Sequence, residues 1–157
     1  MKTKIAVAIV GAVLGFTAAM GGADEIENLI APVAGPTELV IDSDDGKELC
    51  WSIKFKKLRE AYPSFFSWQI ETLDKKQVYL GQYRPDRPTE GFSPNQTAQK
   101  GEETTFKNCA SKPANVGPVY TLKAYSKYKV WHGLWEVPRY IGPYFIVNGK
   151  VVSPASP

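Results

Sequence analysis

The stretch from Leu49 to Lys57 constrains this chain most. Leu49, Trp51, Ile53 and Phe55 alternate with Cys50, Ser52, Lys54 and Lys56, and a period of two marks a strand with one face buried and one face in water. A half-buried strand cannot stand alone, so the rest of the chain has to supply sheet to cover the Trp51 face. Phe66, Trp68 and Ile70 alternate in the same way with Ser67, Gln69 and Glu71, Asp74-Lys75-Lys76 marks a turn, and Gln77 to Tyr83 reads as a further strand. The succession 49–57, 65–73 and 77–83 predicts an antiparallel meander, with Glu60 to Ser64, which holds Pro63, as a connecting loop. Thr37 to Ile41 is an earlier strand, and the turn-rich Asp42-Ser43-Asp44-Asp45-Gly46 after it predicts a hairpin closed by Asp45-Gly46.

Further along, Arg84 to Gly101 is rich in proline and glycine and reads as a long surface loop carrying the sequon Asn95-Gln96-Thr97. Glu102 to Asn108 is a weaker strand. In Val119 to Val130 the register of Tyr120, Leu122 and Ala124 is expected to face Trp51. Ile141-Gly142-Pro143 is expected to break the strand, Tyr144 to Val147 to form another, and Asn148-Gly149 to turn the chain toward Val151 and Val152 before a tail at 153–157. The fold class that follows is all-β: one antiparallel β-sandwich over residues 37–152, with Trp51, Ile53, Phe55, Trp68, Ile70 and Leu122 in its core.

The start of the chain has a different character. Lys2 and Lys4 precede Ile5 to Met20, an uncharged run of small and apolar residues, which reads as a targeting segment outside the fold. Its length falls between a signal core and a comfortable membrane span. Residues 1–23 are therefore either a signal peptide, cut after Ala19 or Ala23, or an apolar helix anchoring the chain in the membrane through residues 5–22. The anchor is the preferred reading, because such a run can span a thin bilayer with the acidic Asp24, Glu25 and Glu27 just outside it. Either way Lys2 and Lys4 stay cytoplasmic and the remainder is exported, to the periplasmic side of an inner membrane if tethered. Residues 24–36 read as a linker with one helical turn before Pro32, its acidic trio a solvated spacer.

Cysteine usage agrees with export. Cys50 and Cys109 are the two cysteines of the chain, and a pair in an oxidising space is expected to form a disulfide. Cys50 lies on the Lys54 side of its strand, so the bond is expected to clip the outside of the sheet. Two cysteines and the lone His132 do not make a closed zinc set, and Asp42 to Gly46 lacks the remaining ligands of a calcium loop. Neither a metal nor a cofactor is expected.

Charge excludes another class. The chain has 19 Lys and Arg against 16 Asp and Glu, a formal +3, and without Lys2 and Lys4 the excess falls to a single charge. That provides no basic stripe for nucleic acid. Catalysis lacks a constellation too: there is no nucleophile elbow for His132, no phosphate-cradling glycine loop, and Glu102 and Glu103 point to opposite sides of a strand. The most unusual run is Tyr128, Trp131, His132, Gly133, Leu134 and Trp135. It is either the plug at one end of the sandwich or a recognition surface, since aromatic rings stack well on sugars and other flat partners.

A signal-like start, an early strand with a charged outer face and a proline-rich middle are followed by Gly117-Pro118-Val119-Tyr120, spaced tyrosines and tryptophans, and a closing Pro143-Tyr144-Phe145-Ile146-Val147. These features resemble small exported proteins encoded by tailed phages and their bacterial hosts. The resemblance covers residues 37–148 and implies an immunoglobulin-like sandwich. It carries no catalytic signature, so no functional residue transfers from it. Two function classes remain: an exported, membrane-tethered binding or assembly module whose partner is an envelope or virion protein, and a carbohydrate-binding module that stacks a glycan on Trp131, Trp135 or Tyr128. Two coplanar exposed rings would favour the glycan.

Overall fold

The structure, a computed structural model, describes residues 22–83 and 99–154. The expected targeting segment up to residue 21, and residues 84–98 of the expected proline loop with its sequon, lie outside the described residues. Helix α1 (Ala23–Ile30) is followed by β1 (Glu38–Asp44), β2 (Glu48–Lys56), β3 (Tyr62–Thr72), β4 (Gln77–Tyr83), β5 (Glu103–Ser111), β6 (Val119–Lys129), β7 (Glu136–Val147) and β8 (Lys150–Pro154). They form two antiparallel sheets, one in the order β1-β2-β5 and one in the order β4-β3-β6-β7-β8.

This is the all-β sandwich expected, with one difference in topology. β2 and β3 sit in opposite sheets and do not extend a single meander. Both strands carry an apolar face headed by a tryptophan, and stacking the two faces across a shared core buries both at once. Trp51 of β2 meets Trp68 of β3 edge to face, with ring centroids 5.1 Å apart. Around them pack Leu49, Ile53 and Phe55 from one sheet and Ile70, Tyr120, Leu122, Ile141 and Ile146 from the other. All six residues expected in the core are buried.

Two predicted breaks are absorbed as irregularities within strands. β3 starts at Tyr62 and runs through Pro63, with a register shift between Pro63 and Phe65 against β6. Near the start of a strand the missing N–H of proline costs little. β7 continues through Gly142-Pro143 with a compensating shift between Leu122 and Ala124 of β6. Gly142 has φ +83, and a Cβ there would lie 2.9 Å from the Leu122 carbonyl oxygen, so the bulge requires glycine. β1 also outruns its expected end, reaching Asp44 through a shift between Ile41 and Ser43. The turn after it is stapled by Asp45, whose Oδ1 accepts the N–H groups of Lys47 at 2.8 Å and Glu48 at 2.7 Å.

Cys50 and Cys109 stand directly opposite each other on β2 and β5 and are joined by a disulfide, with Cα atoms 4.1 Å apart and a separation of 59 positions in sequence. The bond lies on the face away from Trp51, as the alternation requires.

Replacing Trp51 with alanine opens a cavity against Trp68 and should cost about 3–5 kcal/mol. Urea unfolding followed by circular dichroism measures it, and a loss under about 1 kcal/mol would mean that Trp51 is not in a packed core. Protein taken from its native compartment should keep both cysteines unalkylated until it is reduced. Two thiols that alkylate without reductant would refute the bond.

Candidate functional site

The aromatic run Trp131 to Trp135 lies between β6 and β7, at the end of the sandwich where β3 begins and where α1 docks. α1 forms from a short sequence. Asp24 and Glu25 in its first turn favour the helix dipole, Ala31 donates its N–H to the Glu27 carbonyl at 2.9 Å, and Pro32 cannot continue the helix. β8 pairs only with Tyr144 to Val147, and α1 packs on β7 with contacts in the half that β8 leaves uncovered. There Tyr140 donates its hydroxyl to Glu25 Oε1 at 3.1 Å.

The orientation of this helix is inverted relative to the usual amphipathic rule. Ala23 and Glu27, one turn apart, face the sandwich, while Leu29 and Ile30 are 82% and 65% exposed. The expectation of a solvated acidic spacer therefore fails at Glu27. Its carboxylate is buried and gathers donors from two distant loops. Arg59 Nη1 donates to Oε1 at 2.6 Å, and Trp135 Nε1 donates to Oε2 at 2.5 Å. His132 Nε2 lies 2.8 Å from Oε2. His132 Nδ1 accepts the Leu134 N–H at 3.0 Å, so the neutral ring carries its proton on Nε2 and donates it to Glu27. Burial opposes ionisation of Glu27, but the bonds from Arg59, His132 and Trp135 together outweigh it and hold the carboxyl below its usual value.

Beneath this hub Val33, Ala61, Val130 and Val137 form a small second core, with Tyr128 and Trp135 packed against it. The aromatic run is thus divided. Tyr128, His132 and Trp135 belong to the plug. Trp131 turns outward with 87% of its surface exposed, and Leu134 beside it is 74% exposed. The Trp131 ring meets His132 at 75° and His132 meets Trp135 at 53°, so no coplanar pair of exposed rings is present among them. Cys50 and Cys109 are apart from this end, near the start of β2 and the end of β5, toward Asp44.

The chemistry open to the hub is that of a clasp. The carboxylate is committed to three donors and both ring nitrogens of His132 are engaged, leaving neither placed to abstract a proton. Among the described residues no group of three or more His, Cys, Asp or Glu side chains is arranged to hold a metal. A second buried carboxylate, Asp44, lies at the opposite end. Lys112 Nζ donates to both its oxygens, at 2.9 and 2.7 Å, and Tyr120 donates its hydroxyl at 2.9 Å. Burial again opposes ionisation and is outweighed by Lys112, Tyr120 and the Gly46 N–H, so Asp44 too is held low. The Lys112 and Asp44 side chains are only 3% and 6% exposed, which makes this a sealed structural knot.

No family model matches this chain, and no curated protein matches it. Among solved structures, a chain assigned as the ApaA protein of Bordetella pertussis is similar at 12% identity and a TM-score of 0.40, over 71% of this chain and 94% of that one. A likeness at that level carries no argument about function.

Because the folded state holds Glu27 low, its contribution to stability is complete above the unfolded carboxylate value and is lost as pH falls through the lower folded value. The protection of α1 amides, measured against their intrinsic exchange rate, should therefore fall on acidification through that window, while Glu27→Gln should weaken α1 protection already at neutral pH, by up to about 3 kcal/mol. Exchange of α1 that is as fast at pH 7 as in a free peptide would contradict the clasp.

Proposed function

We propose that this chain is an exported binding or assembly module, a β-sandwich without catalytic activity, tethered to a membrane by Ile5 to Gly22 and serving as a phage-encoded or envelope component. The observation that carries this reading is the apolar surface at the α1 end. Trp131, Leu134, Leu29 and Ile30 are all largely exposed beside a clasp that spends a buried carboxylate on keeping them in place. Scattered exposed apolar residues need no explanation, but four gathered about one ordered hub suit an interaction surface. Support for export comes from Lys2 and Lys4 ahead of the apolar run and from the Cys50–Cys109 bond, which suits an oxidising space.

The glycan reading is favoured less. Its platform would be Trp131 alone, since Trp135 has its indole N–H tied to Glu27 and its ring is not coplanar with its neighbour. An alkaline phosphatase fusion after Pro157 tests the topology. Activity is expected, and an inactive fusion that is stably made would overturn the export and the tether together.

A further inference from the structure

We infer that the surface made by Leu29, Ile30, Trp131 and Leu134 seats on the lipid bilayer, dipping into its headgroup boundary and laying the sandwich down with the α1 end against the membrane. This rests on the tethered reading above and names the occupant of that surface.

Three observations converge. The first is position. The apolar run Ile5 to Met20 is separated from α1 by Gly21 and Gly22 alone, and two residues reach at most about 7 Å. α1 has 8 residues, about 12 Å of helix, so its outward face lies within roughly 20 Å of the point where a spanning segment would leave the membrane. The second is orientation. Glu27 turns the polar side of α1 inward to Arg59, His132 and Trp135, which leaves the consecutive Leu29 and Ile30 outward. Two of these bonds, from His132 and Trp135, hold the loop that carries Trp131 and Leu134 to α1, so both outward pairs belong to one end. The third is chemistry. An indole at 87% exposure, with exposed leucine and isoleucine side chains on the same α1 end, is the combination that sits at a membrane interface, where the ring has both an apolar body and an N–H for the headgroup layer. Arg59 is paired with Glu27 and Glu25 accepts the Tyr140 hydroxyl, so the attraction argued here is apolar and needs no anionic lipid.

Seated this way, the sandwich presents its opposite end to the exported space. That end carries the Asp45–Lys47 turn, the Leu73–Lys76 turn, the 112–118 segment and Asn148-Gly149, braced by the Asp44–Lys112–Tyr120 knot.

The test uses the full chain reconstituted in phosphatidylcholine vesicles, with and without phosphatidylglycerol. The emission of Trp131 is taken as the difference between the wild type and Trp131→Phe, an exposed and conservative change. A spin label carried on the lipid near the headgroup should remove most of that emission, and acrylamide in the water should lose most of its effect, equally in both lipid mixtures. Leu134→Asp should restore acrylamide access without releasing the chain from the vesicles. If the chain floats with vesicles but Trp131 stays open to acrylamide and blind to the lipid quencher, the surface is overturned and the tether stands. Protection from both quenchers would assign the surface to a second copy or a protein partner, and would also overturn it. A chain that does not float at all removes tether and surface together.

Discussion

Glu27 faces inward, and the functional end of the molecule depends on it. A helix of the composition Ala-Asp-Glu-Ile-Glu-Asn-Leu-Ile would ordinarily bury its isoleucines and leucine and wet its carboxylates. Here Arg59, His132 and Trp135, brought by two separate loops, offer one carboxylate more hydrogen bonds than it would keep at the surface of an isolated helix, and the helix rolls to meet them. Desolvating that charge is unfavourable by several kcal/mol, and only saturation by donors, one of them a guanidinium, offsets it. The roll has a consequence for everything around it: the loop after β2, the loop before β7 and α1 are locked to a common point, and the apolar residues that lose their place inside are left facing out.

Asp44 solves a similar problem at the other end with a different result. Lys112 and Tyr120 close over it, the ammonium lying 4.5 Å from the centre of the Tyr120 ring. Between the two knots lies a core that needs neither, assembled on Trp51 against Trp68. Both indole N–H groups there lack a partner, so the pair stabilises the sandwich through area and ring geometry rather than hydrogen bonding. The two ends of the molecule therefore differ: one is braced by the Asp44–Lys112–Tyr120 knot, the other turns Trp131, Leu134, Leu29 and Ile30 outward beside the Glu27 hub, and the Trp51–Trp68 core lies between them.

The sheets were legible because strands with one wet face write their period into the chain. Trp51, Ile53 and Phe55, and Trp68 and Ile70, could be placed in the core from alternation alone. Cys50 could be put on the outer face, and Asp45-Gly46 and Asn148-Gly149 could be read as tight turns. Alternation does not say which sheet a strand joins, so the separation of β2 from β3 was hidden. Pro63 and Gly142-Pro143 look like breaks in a linear pattern because a bulge and a break share the same residues. The buried charges left no local trace. Glu27 meets Arg59 across 32 residues and Trp135 across 108, and Asp44 meets Lys112 across 68. Only the fold brings such donors together, and Glu27 reads like its solvated neighbours Asp24 and Glu25 until it does. The aromatic run was visible as unusual, but its division into a plug and an outward Trp131 follows from the hub.

That the carboxylate of Glu27 and the indole of Trp135 act as one unit is the claim on which the outward surface stands, and a double-mutant cycle measures it most directly. Glu27→Gln, Trp135→Phe and the double variant, unfolded in urea at neutral pH, should show a coupling above about 1 kcal/mol, the double variant losing clearly less than the two single losses combined. Losses that add to within about 0.5 kcal/mol would mean the two side chains are independent, and that Glu27 does not set the direction in which α1 faces.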